Sequence, residues 1–334
     1  MSDHPLLRVD GLTVEFRAGR GWTRVVDDVS LSVDPAQTVG LVGESGSGKT
    51  VTALATLGLA PGLGAKVAAR SIEFEGQELT SLRPSAMNRV RGNRIGMIFQ
   101  QPARSLDPAY TVGDQIAETI RRFGDVSRKE AWRRAVEMLD RVHIANAAKR
   151  AAEYPHTFSG GMCQRVMIAM ALACGPSLLI ADEPTTALDV TVQARILNLM
   201  RELQRDTGVA ILFISHDLGV IAEMCESVLV MYAGQVVEQA PADEIFFQPQ
   251  HPYTEGLLGS IPRPGRSTHL VTIPGNVPPM DHLPSGCRFH PRCRYAVAGR
   301  CDRGEPALHV DGADHGSRCV RVGEITLAGV EVPA

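Results

Sequence analysis

Gly43-Glu44-Ser45-Gly46-Ser47-Gly48-Lys49-Thr50 follows the apolar run Thr38 to Val42 and precedes a stretch with helical spacing, Lys49 to Leu59. The octet fits the pattern G-x-x-x-x-G-K-[ST] at every position. Glycines at these places let the backbone curl so that its N–H groups point inward at phosphate oxygens. The helix that starts here adds the partial positive charge of its N-terminus. The pattern puts Lys49 on the β- and γ-phosphates of a nucleotide and the Thr50 hydroxyl on Mg²⁺. A chance glycine-rich turn would not combine the full pattern with the strand before it and the helix after it. GTPases, kinases and helicases share this loop, so the rest of the chain has to decide the class.

Working outward, Leu6 to Phe16 and Val25 to Val33 read as strands joined by a turn at Gly19 to Gly21, and Ile72 to Phe74 and Ile95 to Phe99 read as further strands. From Gln100 to Pro176 the character changes. Thr111 to Arg122, Arg128 to Val142 and Met162 to Ala173 carry apolar residues at helical spacing, with Ser127 and Ser159 placed as N-caps. Strand-like runs return at Leu178 to Ala181, Ala210 to Ser215 and Ser227 to Tyr232, and the helix Val190 to Thr207 lies between the first two. Such alternation implies an α/β fold with a mostly parallel sheet. The expected division is a nucleotide-binding core over 1–100 and 176–240, a helical insertion over 101–175, and an extension over 241–334. Prolines punctuate that extension, among them Pro241, Pro249, Pro252, Pro262, Pro264 and Pro274, so little regular structure is expected there.

Two more motifs carry chemistry. Ser177-Leu178-Leu179-Ile180-Ala181-Asp182-Glu183-Pro184 is an apolar strand ending in two acids. Beside a phosphate loop, Asp182 suits Mg²⁺ and Glu183 suits an attacking water. Elsewhere, such a pair is often a solvated strand end. Ser159-Gly160-Gly161-Met162-Cys163-Gln164-Arg165 would open a helix and form a second anion cradle. The plain alternative is an ordinary helix cap.

With the phosphate loop, Gln100, Ser159-Gly160-Gly161, Asp182-Glu183, Ala187-Leu188-Asp189 and His216 in this order, residues 6 to 240 resemble the ABC ATPase family. The resemblance implies a P-loop NTPase core, an antiparallel β subdomain and the helical insertion. It also implies roles. Phe16 stacks on adenine, Gly43 to Thr50 bind ATP, and Gln100 touches Mg²⁺ and the water. Asp182 and Thr50 complete the Mg²⁺ set, with Glu183, His216 and Gln100 at the hydrolytic centre. Asp189 communicates across a head-to-tail dimer. Ser159, Gly160, Gly161 and Met162 serve the partner chain's nucleotide. Met162 is usual in the peptide-importer branch, where a basic residue commonly follows; this chain has Cys163 instead.

The tail narrows the resemblance. Gln250-His251-Pro252-Tyr253-Thr254-Glu255-Gly256-Leu257-Leu258, Ser260-Ile261-Pro262, Ile273-Pro274-Gly275 and Pro284 to Cys293 look like the C-terminal region of dipeptide/oligopeptide importer ATPases, as does Phe99-Gln100-Gln101-Pro102 through Pro108. Nickel and some sugar importers share that branch. Of seven cysteines, four crowd into the tail with the spacing C-x5-C-x7-C-x17-C: Cys287, Cys293, Cys301 and Cys319. Zinc sites usually contain C-x2-C-like pairs, which are missing here. All-thiolate ligation suits zinc or an iron–sulfur cluster, and unligated cysteines are the third reading. The resemblance favours a [4Fe-4S] cluster. His290, His309 and His315 lie near them and read as surface residues, with metal ligation as the alternative.

Composition sets outer bounds. The formal net charge of −3 and an aromatic fraction of 5% leave no basic field or stacking platform for nucleic acid. The longest apolar candidate, Val166 to Ile180, is broken by Gly175-Pro176 and falls short of the about 20 residues a spanning helix needs. No signal peptide is read at the N-terminus. The expectation is an ATPase at the cytoplasmic face of the inner membrane, bound to two permease subunits. A second, distinct ATPase chain and, indirectly, an external solute-binding protein complete the set of partners. The competing readings are a nickel or other small-solute importer, a non-transport ABC protein and a silent regulatory subunit. Intact Lys49, Asp182, Glu183 and His216 weigh against the last.

Overall fold

The computed structural model describes residues 4–19, 21–186, 188–261, 272–311 and 315–330. Arg20, Ala187, Pro262 and Pro264, named in the sequence reading or lying within its turns, fall outside the described residues. The chain opens with β1 (Leu7–Ala18), β2 (Gly21–Val33) and β3 (Thr38–Val42), then α1 (Lys49–Thr56). Next come β4 (Lys66–Ala68), β5 (Ser71–Phe74), β6 (Gln77–Glu78), α2 (Pro84–Arg89) and β7 (Ile95–Ile98). The helical stretch holds α3 (Pro102–Ser105), α4 (Val112–Phe123), α5 (Arg128–Arg141), α6 (Ala147–Arg150) and α7 (Gly160–Leu172). Then follow β8 (Leu178–Asp182), α8 (Val190–Thr207), β9 (Ala210–Ser215), α9 (Leu218–Met224), β10 (Ser227–Tyr232) and β11 (Gln235–Pro241). The tail adds α10 (Ala242–Phe247), α11 (Pro252–Gly259), β12 (His309–Asp311) and β13 (His315–Ser317). Between α11 and β12 the described residues form no α-helix or strand, as the prolines there suggest. Among the described residues no helix is long and apolar enough to cross a membrane.

The chain divides into two compact units, interleaved along the sequence. One comprises Met1–Leu6, Val33–Gln37 and Ser81–Leu212, the other Leu7–Ser32, Thr38–Thr80 and Phe213–Ala334. The second unit contains the strands β2-β1-β5-β6 in that order, with β4 also on β1; β1–β5, β5–β6 and β1–β4 are antiparallel. It also contains β3, β10, β11, β13 and β12, hydrogen-bonded in that order. All five residues of β3 are buried, as continuous apolar strands of parallel sheets are. β10 runs parallel to β3 with Val228 opposite Gly40 and Val230 opposite Val42, and shifts register on β11 between Val230 and Met231.

In the first unit β7 and β8 pair in parallel, Ile95 with Leu178 through Ile98 with Ala181. The helices start where side-chain oxygens can take free N–H groups. Thr111 accepts from Asp114 N at 3.2 Å, Ser127 from Glu130 N at 3.2 Å, and Ser159 from Met162 N at 3.4 Å. Gln115, nearly buried, holds the loop after α3 by accepting from Asp107 N at 2.9 Å and donating to the carbonyls of Asp107 at 2.9 Å and Tyr110 at 3.0 Å. α7 lies so close to β7 that a Cβ on Gly96 would stand 2.4 Å from the Ala171 carbonyl oxygen. Gly96→Ala is therefore expected to cost about 1–3 kcal/mol through overpacking, read as a lower thermal midpoint. An unchanged midpoint would contradict this seating of α7.

Candidate functional site

The register of β3 on β10 shapes the glycine loop. Val42 lies opposite Val230, so the next residue, Gly43, meets the backbone of Met231. A Cβ on Gly43 would sit 2.1 Å from the Met231 carbonyl oxygen, and nothing but glycine fits. Gly48 has φ +104° and approaches the Val25 carbonyl, a conformation other residues rarely adopt. Gly234, in the turn between β10 and β11, donates to Ser47 O at 3.0 Å. Lys49 is 5% exposed and donates to the carbonyls of Gly43 at 2.7 Å and Glu44 at 3.1 Å, so its ammonium lies inside the curl of the loop. Thr50 is exposed at the start of α1, Phe16 is half-buried near the end of β1, and His216 is exposed just beyond β9.

The strand register in the other unit does similar work. Ile98 lies opposite Ala181, so Gln100 and Glu183 each follow two residues later. Gln100 Nε2 donates to Glu183 Oε2 at 2.9 Å, and the Thr186 hydroxyl donates to the same oxygen at 2.8 Å. Glu183 has φ +47°, a left-handed conformation that costs free energy in a non-glycine residue and tends to occur where function demands it. Asp182, at the end of β8, is 2% exposed. A carboxylate oriented by an amide and a hydroxyl, next to a buried second acid, can polarise water and hold a hard cation. Thr186 is a contact that sequence reasoning missed.

Ser159 caps α7 and leaves Gly160 open to solvent, with no atom within 4 Å of where its Cβ would be. Gly161 faces Val192 of α8, at 2.8 Å from its would-be Cβ. Met162 is half-buried. Cys163 turns inward: it is 4% exposed, its thiol donates to the Pro155 carbonyl at 3.7 Å, and burial raises its pKa. Asp189 caps α8 by accepting from Val192 N at 3.0 Å.

In the tail, Cys287, Cys293, Cys301 and Cys319 line one cavity of about 20 Å³, together with Phe289, His290 and Val320. Burial, reinforced by the charges of the other three cysteines, pushes the Cys287 thiol up to about 11. Burial likewise raises Cys293 and Cys319. The donor set suits a thiophilic metal. The space does not match it as well, since about 20 Å³ is room for little more than one water. Among the described residues no group of three or more His, Cys, Asp or Glu is set to hold a metal ion.

The expectation of surface histidines is corrected at His315. His315 is 6% exposed and pairs with the fully buried Glu238 at 2.8 Å, whereas His309 is exposed as expected. Two arginines are buried as well. Arg288 and Arg292 are 7% and 8% exposed, because Asp27 and Glu305 pair with the first and Glu44 with the second.

Comparison with known proteins decides the family. Residues 26–186 match the family model described as ABC transporter, and residues 237–301 match the one described as oligopeptide/dipeptide transporter, C-terminal region. A Brucella melitensis protein named as a peptide import ATP-binding protein is 51% identical over 97% of this chain and 99% of its own length. The chain belongs to the ABC transporter family. A Brucella abortus relative of the same description is 48% identical over 94% of both chains. Among solved structures, a dimeric ATP-binding cassette bound to ADP and Pi is 26% identical, with TM-score 0.62 over 71% of this chain and 98% of its own. A component of the cbiONQ transporter complex of Clostridium perfringens is 25% identical, with TM-score 0.62 over 73% of this chain and 91% of its own. As an ABC ATPase, the chain has its P-loop α/β fold in common with these cassettes.

Because Cys163 packs inward, iodoacetamide at pH 7.5 is expected to leave it unlabelled in the native chain and to modify it in denaturant. Peptide mass mapping reads this, and rapid native labelling would contradict the inward placement.

Proposed function

We propose that this chain hydrolyses ATP as the motor subunit of an importer for di- or oligopeptides. The hydrogen bond from Gln100 to Glu183 carries the catalytic part of the reading, because it orients a carboxylate beside the strand end where a water-polarising base belongs. The full-length likeness to peptide import ATP-binding proteins supports the cargo. Nickel and other small solutes remain the second reading within the same branch.

The roles follow the family motifs residue by residue. Phe16 stacks on adenine, Gly43 to Thr50 enclose the phosphates, and Lys49 neutralises the β- and γ-phosphates. Thr50, Gln100 and Asp182 are the side chains that would hold Mg²⁺, which offsets charge on the phosphate oxygens when bound. Glu183 orients the attacking water, and His216 contacts the γ-phosphate. Ser159 to Met162 serve the partner's nucleotide, and Asp189 carries the signal between chains. The exposed Ser159-Gly160 corner and the inward Cys163 support this, since the missing basic residue leaves the capped helix start intact. ATP closes a head-to-tail dimer because its γ-phosphate is fully neutralised only when both chains surround it. The second chain is a different ATPase of this type. Two permease subunits hold the pair at the cytoplasmic face of the membrane, and an external binding protein delivers cargo. Residues 241–334 form the importer-type extension and 101–175 the helical insertion.

For Cys287, Cys293, Cys301 and Cys319 the proposal is a thiolate-bound metal centre, a [4Fe-4S] cluster by family likeness and Zn²⁺ as the alternative. Their convergence on one cavity supports it. The cavity's small volume requires its walls to part for a cluster.

Glu183→Gln is expected to lower the ATPase rate of the assembled complex by about 100-fold or more, the scale of losing a positioned general base. An undiminished rate would remove Glu183 from that role. Oxygen-free purification is expected to give about four irons per chain and broad absorption near 400 nm. One zinc without colour would favour the alternative, and no metal would reject the centre.

A further inference from the structure

The phosphate loop has a partner that its own motif does not specify. Glu44, the first variable residue after Gly43, is bound at two places by residues far along the chain. Its backbone N–H donates to the Tyr253 hydroxyl at 2.9 Å. Its carboxylate is forked by Arg292, with Nη1 to Oε2 at 2.8 Å and Nη2 to Oε1 at 3.1 Å. Both partners are themselves fixed. Tyr253 is fully buried in α11, with its ring 4.6 Å from that of Tyr232 and 5.4 Å from that of Phe289. Arg292 is 8% exposed, donates through Nε to the Pro274 carbonyl at 2.8 Å and through Nη1 to the Tyr232 hydroxyl at 3.3 Å, and lies over the rings of Tyr232 and Phe289.

We propose that Arg292 is a positioning residue for nucleotide binding, holding the phosphate loop through Glu44 and cancelling that residue's charge. The inference rests on the reading of Gly43 to Thr50 as the nucleotide site. Two physical consequences follow from the geometry. A carboxylate at the entrance of a phosphate loop repels an incoming polyphosphate unless a cation neutralises it, and a bidentate guanidinium does so with fixed direction. The loop's first turn is also tied at both main chain and side chain, so less conformational freedom is lost when nucleotide binds. Arg292 ends the short 3-10 turn His290–Arg292, which is flanked by Phe289 and Cys293. Cys293, which lines the cysteine cavity, therefore directly follows the residue that holds the nucleotide loop.

The test is equilibrium binding of ADP to the full-length chain, which involves no turnover. Arg292→Ala is expected to weaken ADP about tenfold and Arg292→Lys about threefold, since lysine keeps charge but not the fork. In a Glu44→Gln background the Arg292→Ala change is expected to shift affinity by less than about twofold, because the charge it cancels is gone. An equal loss in both backgrounds, or none in either, would overturn the proposal; the first would show that Arg292 supports only the tail. Should Arg292→Ala not fold, Arg292→Gln takes its place with the same expectations. Lys49→Ala separates the two ideas. If it leaves ADP affinity intact, the reading of the loop itself fails; if it abolishes binding while Arg292→Ala does nothing, only the present inference fails.

Discussion

The backbone of Gly43 lies against the carbonyl of Met231 with no room for a side chain between them. The remainder of the loop depends on this contact. It follows from the parallel register of β3 and β10, which delivers the end of one buried strand beside the end of the other. From there the chain has to turn, and Gly48, the Gly234 N–H and the folded-back Lys49 set how it turns. In the other unit the same logic, a parallel pair with two residues running on beyond the ladder, brings Gln100 to Glu183. In both cases strand pairing positions the chemistry to within one residue, and a one-residue slip would exchange the faces that the side chains occupy.

Much of this was legible in the sequence. The strands Thr38–Val42, Ala210–Ser215 and Ser227–Tyr232 and the helix Val190–Thr207 fall where apolar runs and helical period put them. Such elements are long or continuously buried, so their pattern is strong. The short strands β4 and β6 and the helix α2 were not read, because two to six residues hardly define a period. Nor were β12 and β13, which exist as strands through pairing with each other and with distant β11. Periodicity reports burial and says little about partners.

The same limit applies to the candidate site. Gly43 to Thr50, Asp182 and Glu183 announce themselves through local spacing, because a loop and a strand end are local objects. Thr186, two residues beyond a proline, carried no signal of its own. Tyr253 and Arg292 reach Glu44 across more than 200 positions of sequence. Their types hint at a family tail but not at the phosphate loop. Cys163, which stands where the branch commonly has a basic residue, proves to be a small buried thiol under the start of α7. The four tail cysteines do converge, yet in a cavity smaller than their number suggests.

Every role assigned to the loop requires that Gly43 to Thr50 is where the nucleotide binds. The direct measurement is calorimetric titration of Mg²⁺ and ATP into the full-length chain, wild type against Lys49→Ala. One saturable site per chain is expected, weakened about tenfold or more when the buried ammonium is removed. Equal affinity in the two proteins would place the nucleotide elsewhere and contradict the account.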